Sequence, residues 1–240
     1  MAGPQCCANP PNLSFSCGSG AGHVEEIGGL KSYITGSPDS KIAVLLVSDV
    51  FGYEAPKLRK LADKVAGAGF YVVVPDFFFG DPLVVFDMAT VDGWLKNHGP
   101  DQGFKHAKPV IDALKSKGIT KIGAAGFCWG GKVVAELAKC AYIQAAVLLH
   151  PSLVSLDDIQ GVKVPISILG AEIDQRWPPE LLKQFEEALN AKPEVDGFVK
   201  IFPGVTHGWS VRYKDEDERE VKCAEEAHQD MLDWFVKYLK

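Results

Sequence analysis

Short runs of aliphatic and β-branched residues recur along most of this chain, separated by segments of helical length. The runs IAVLLVS (42–48) and YVVVP (71–75) are apolar at consecutive positions instead of alternating. A strand of that kind has both faces covered, as in parallel sheets with helices packed on either side. Strands are expected at 31–35, 42–48, 70–74, 122–125, 145–149, 164–169 and 199–202. Helices are expected at 56–68, 86–96, 102–117, 130–140, 179–189 and 216–239. Strand and helix keep alternating to the end, which predicts an α/β class with one mostly parallel, doubly wound sheet flanked by helices.

No linker composition or internal repeat interrupts the pattern, so residues 24–240 are read as one domain. Residues 1–23 are rich in turn formers and are read as a flexible N-terminal arm. The formal net charge is −6, which argues against nucleic acid and anionic membrane surfaces as partners. No apolar run is long enough to span a bilayer, and no secretory signal is seen. The six cysteines show no disulfide-framework spacing. A cytoplasmic protein with reduced thiols is expected, needing no cofactor or metal, as a monomer or weak homodimer. The acidic run 215–220 reads as the solvated first turn of the last helix.

The chemistry concentrates in AAGFCWGG (124–131). Glycines two residues either side of Cys128 permit a sharp strand–turn–helix bend, the nucleophile elbow of hydrolases, with cysteine in the usual serine position. Such a turn lifts the side chain above the carboxyl ends of the strands and sets it at a helix N-terminus, where thiolate is favoured. A glycine-rich turn holding a buried structural thiol would look the same locally.

Chain order separates the two readings. In elbow hydrolases the acid and then the base follow the nucleophile, each on a loop after a later strand. Here Asp174 follows the 164–169 strand in GAEIDQRWP, and His207 follows the 199–202 strand in PGVTHGW. His207 would take the thiol proton and Asp174 would orient the imidazole. The backbone N–H groups of Trp129 and Val50 would form the oxyanion hole.

The stretches VSDVFGYE, VVVPDFFFG, GFCWGGK and the GAEID…PGVTHGW pair together resemble the dienelactone hydrolase family, a cysteine branch of the α/β-hydrolase fold. The resemblance covers about residue 31 to the C-terminus. It implies the triad Cys128, Asp174 and His207. It also implies that the acid before the Phe-Gly of the first loop, Asp49 here where bacterial members carry glutamate, restrains the thiol until substrate arrives. Those members clamp a substrate carboxylate with arginines, one shortly after the third strand's Pro-Asp. Here that stretch is PDFFFGDP, so Phe78 and Phe79 become candidate pocket walls. Arg212 is either a replacement clamp or a plain surface charge. Trp209 and His150 are further substrate-contact candidates, each with a packing role as the plainer alternative.

Plant members that resemble this chain at a CCxNPP segment (Cys6 to Pro11) are named endo-1,3;1,4-β-D-glucanases. Glycosidases need two carboxyl groups about 5–10 Å apart across the scissile bond, and Asp49, Glu172 and Asp174 are the only obvious acids near the expected site. The leading expectation is a hydrolase of small esters, lactones or related acyl compounds, working through a thioester. A β-glucan hydrolase with an oligosaccharide substrate, and a non-catalytic thiol redox sensor, are the alternatives.

Overall fold

The computed structural model describes residue 11 and residues 20–84 and 88–240. The elements run β1 (His23–Ile27), β2 (Leu30–Thr35), β3 (Ile42–Val47), α1 (Pro56–Gly67), β4 (Tyr71–Pro75), α2 (Met88–Asn97), α3 (Pro100–Ser116), β5 (Lys121–Phe127) and α4 (Trp129–Lys139). They continue with β6 (Ala145–Leu149), α5 (Leu156–Gly161), β7 (Ile166–Ile173), α6 (Pro179–Asn190), β8 (Gly197–Thr206), α7 (Trp209–Arg212) and α8 (Glu218–Leu239). The strands form one sheet in the order β1-β2-β4-β3-β5-β6-β7-β8. The β1–β2 and β2–β4 pairs are antiparallel, and every pair from β4 to β8 is parallel.

The unbroken apolar runs serve two layers at once. In β3, Ala43, Leu45 and Val47 join a core with residues of α3, α4 and α6. The intervening Val44 and Leu46 join a second core with residues of α1 and α8. Side chains alternate across the pleat, so a strand that is apolar at every position is what a sheet between two helical layers requires. Burying each such Val or Leu contributes roughly 1.5–3 kcal/mol.

Three features depart from the sequence reading. β1, with the polar sequence HVEEI, extends the sheet as a half-exposed antiparallel edge. Just before it, Ala21 N–H donates to Asp63 and Gly22 N–H to the Tyr33 hydroxyl. Residues 20–23 are therefore tied to the domain instead of lying in a loose arm. The rest of that arm, with Cys6, Cys7 and Cys17, falls outside the described residues apart from Pro11. The short helices α5 and α7 were not expected. The helix expected from residue 86 is described from Met88, and residues 85–87 lie outside the described set.

No helix among the described residues is long and apolar enough to cross a membrane.

Candidate active site

Cys128 occupies the one-residue joint between β5 and α4, with φ 52° and ψ −112°. A non-glycine residue at positive φ is strained by roughly 1–3 kcal/mol, and such strain concentrates at functional positions. The flanking glycines are required by contact. A Cβ on Gly126 would lie 2.2 Å from the Gly130 carbonyl oxygen, and one on Gly130 would lie 2.2 Å from that of Val47. The backbone itself is packed too tightly there for any side chain. Trp129 opens α4, so its amide belongs to the first turn, where helix geometry supplies no carbonyl partner. Its indole is core: it donates to the His98 carbonyl at 2.8 Å and packs on Phe77 and Phe78.

The candidate acid and base are positioned by strand register. Ile173 of β7 pairs with Thr206 of β8 after an irregularity between Ala171 and Ile173. The next residue on each strand is therefore Asp174 and His207, side by side at the carboxyl edge of the sheet. His207 Nδ1 lies 2.6 Å from Asp174 Oδ2. The other carboxylate oxygen accepts the amides of Arg176 and Trp177 at 3.0 and 3.1 Å. Both side chains are almost fully buried. In the neutral imidazole this contact puts the proton on Nδ1 and leaves Nε2 as the basic atom.

Cys128 is 1% exposed, and Ser152 Oγ sits 3.4 Å from its sulfur. Nothing in the sequence singled out Ser152, because a lone serine in a loop carries no pattern. Its approach depends on positive φ values at His150 and Leu153 that bend the loop after β6 back over the elbow.

Asp49 and Arg212, read separately from the sequence, meet in one buried ion pair with Arg212 Nε 3.3 Å from Asp49 Oδ2. Asp49 also accepts the Phe51 amide at 3.0 Å, closing the loop that carries Val50. Arg212 is only 6% exposed, so the plain-surface-charge alternative does not hold. Gly208 leaves room for it, since a Cβ there would lie 2.1 Å from the guanidinium. Val50 is buried, and its carbonyl accepts the Leu83 amide.

His150 is buried with its Nε2 2.9 Å from Ser210 Oγ and its ring edge-on to His207, with centroids 5.0 Å apart. Burial first, then the charges of His207 and Arg212, hold its pKa well below the usual imidazole range. Trp209 packs between His150 and Phe202 and is buried. Phe78 and Phe79 diverge. Phe78 is fully buried against Trp94, His98 and Trp129, whereas Phe79 is 61% exposed, with its ring on His106. Of these two, Phe78 is the one in ring contact with the elbow's tryptophan. Glu172 is spent on the Gly204 amide at 2.6 Å. Among the described residues no group of three or more His, Cys, Asp or Glu could hold a metal.

A mostly parallel sheet flanked by helices, with a strained strand–helix elbow and an Asp–His pair after the last two strands, is the arrangement of the α/β-hydrolase fold. The model of the dienelactone hydrolase family matches residues 30–239, and the chain belongs to that family. A maize protein named endo-1,3;1,4-beta-D-glucanase is 43% identical over 80% of this chain, which spans 63% of that protein's length. A mouse carboxymethylenebutenolidase homolog is 33% identical over 92% of both chains. Among solved structures, a putative dienelactone hydrolase from Klebsiella pneumoniae superposes with TM-score 0.74 at 22% identity, covering 87% of this chain and 93% of its own.

Proposed function

We propose that this hydrolase cleaves small esters or lactones through a Cys128–His207–Asp174 triad and a thioester acyl-enzyme. The observation that carries the reading is the buried 2.6 Å Asp174–His207 pair, standing at the same sheet edge as a cysteine in a strained elbow. His207 Nε2 accepts the thiol proton as sulfur adds to the carbonyl carbon. The oxyanion takes hydrogen bonds from the amides of Trp129 and Val50. Collapse expels the alkoxide, which takes the proton from His207, leaving the acyl group on sulfur. Water, deprotonated by His207, then releases the acid and restores the thiol.

Asp49 and Arg212 lie beside this chemistry as one salt-bridged unit. In this reading a substrate carboxylate would compete with Asp49 for the guanidinium, and Phe78 and Trp209 would shape the apolar side of the binding site. His150 would act through His207, and Phe79 would meet only a long substrate. The enzyme would act in the cytoplasm as a monomer or weak homodimer, without nucleic acid or membrane partners.

The test is turnover of p-nitrophenyl acetate. Cys128→Ala should abolish it with the thermal melt retained, and mass spectrometry of the quenched wild-type enzyme should find the acetyl group on the Cys128 peptide. Undiminished turnover by Cys128→Ala would overturn the mechanism. Reducing-sugar release from mixed-linkage β-glucan that survives Cys128→Ala would instead favour the chemistry named for the maize relative.

A further inference from the structure

We propose that Ser152 is an additional catalytic residue, its hydroxyl donating a hydrogen bond to the Cys128 thiolate. This rests on the reading of Cys128 as the nucleophile, because the group it serves is the attacking sulfur.

The placement is built from both sides. β5 and β6 are in register with Phe127 opposite Leu149, so Cys128 and His150 leave the sheet together. The Cys128 amide donates to the Leu149 carbonyl at 3.1 Å, and the Ser152 amide donates back to the Cys128 carbonyl at 2.9 Å. These two bonds lock the loop to the elbow at main-chain level and bring Ser152 Oγ to 3.4 Å from Sγ. Pro151 closes the third side, since a Cβ on Gly131 would lie 2.9 Å from its ring. Both side chains are at least 98% buried, so water has little access to the sulfur.

A buried thiolate needs a donor, and an ionised acceptor takes a stronger hydrogen bond than a neutral one. A hydroxyl at 3.4 Å is within range for a sulfur acceptor. When His207 takes the thiol proton, the Ser152 O–H turns toward the sulfur and holds the negative charge there. When sulfur bonds to the acyl carbon that charge moves to the oxyanion, and the hydroxyl relaxes without having transferred its proton. Ser152 therefore stabilises the attacking form of the enzyme, and its removal should reduce the fraction of enzyme ready to react.

The experiment follows carbamidomethylation of the Cys128 peptide by iodoacetamide from pH 5 to 10, read by mass spectrometry so that the other cysteines do not contribute. In the full chain, Ser152→Ala should move the midpoint up by about one pH unit, a tenfold loss of thiolate below it. The kcat for p-nitrophenyl acetate should fall about tenfold at neutral pH and recover at high pH, with KM little changed. Ser152→Thr, which keeps the hydroxyl, should stay near wild type. Ser152→Val, with the same shape and no hydroxyl, should behave as alanine does and serves if the alanine variant does not fold. A Ser152→Ala or Ser152→Val profile that coincides with wild type overturns the proposal, as does a threonine variant shifted as far as valine. Ester turnover that survives Cys128→Ala overturns the nucleophile reading separately.

Discussion

The elbow and the Asp174–His207 corner reach the same sheet edge by different means. At the elbow the positions are fixed by main-chain contact, with carbonyl oxygens where any Cβ on Gly126 or Gly130 would have to be. At the corner they are fixed by strand register and then by side-chain hydrogen bonds that converge on Asp174. The first kind of construction fails all at once. The second degrades in steps, because each bond can be removed without moving the backbone.

The largest expected effect breaks the elbow. Gly130→Val should yield little folded protein, measured as soluble expression and loss of the thermal transition, because the obstacle is a backbone oxygen of β3. Asp174→Asn should leave the melt nearly unchanged and reduce kcat about 10³–10⁴-fold, since the amide no longer fixes the imidazole tautomer. An Asp174→Asn enzyme within tenfold of wild type would mean that the corner does no orienting.

Arg212→Met is expected to destabilise by about 3–5 kcal/mol in urea titration, because Asp49 is left as an uncompensated buried charge. Adding Asp49→Asn to that variant should recover much of the loss. The cycle reports whether these residues act as one unit.

A pH experiment reaches behind the corner. His228 is buried with Nε2 2.7 Å from the Ser210 carbonyl, and burial lowers its pKa to about 4. The folded chain keeps this histidine neutral, while the unfolded chain protonates it near pH 6.5. The stability it contributes is therefore complete above pH 6.5 and falls as pH drops toward 4, by about 3 kcal/mol across that window. His150 shifts in the same direction. His228→Gln should flatten the slope of stability against pH between 6.5 and 4. An unchanged slope would place the acid sensitivity elsewhere. The smallest effect is a control far from both regions. Lys117→Met should cost no more than about 1 kcal/mol, since its 3.1 Å pair with Glu25 is solvent-exposed.

The same division explains what could be read from the sequence. β3 to β7 were legible because their residues are apolar on both faces, a pattern that follows from burial alone. The candidate triad was legible because glycine spacing and chain order survive in one dimension. β1 was not, since an edge strand that pairs on one side has no need of apolar residues on its exposed face. α5 and α7 span about a turn or two, too short for a helical period. Ser152, and the joining of Asp49 to Arg212, depend on loops folding back over the sheet. No local pattern marks where a loop will land.

The left-handed backbone at Cys128 has a consequence for the chain as a whole. Glycine would adopt that conformation at little steric cost, so Cys128→Gly relieves strain of roughly 1–3 kcal/mol at the elbow. Some of this relief returns as the extra freedom glycine gains when unfolded. A chain with glycine at 128 should thus match or exceed the thermal stability of the wild type, and in the proposed mechanism it would be inert. Folding alone gives no reason to keep the thiol there, and the strain is a cost the chain carries at the joint on which the proposed chemistry turns.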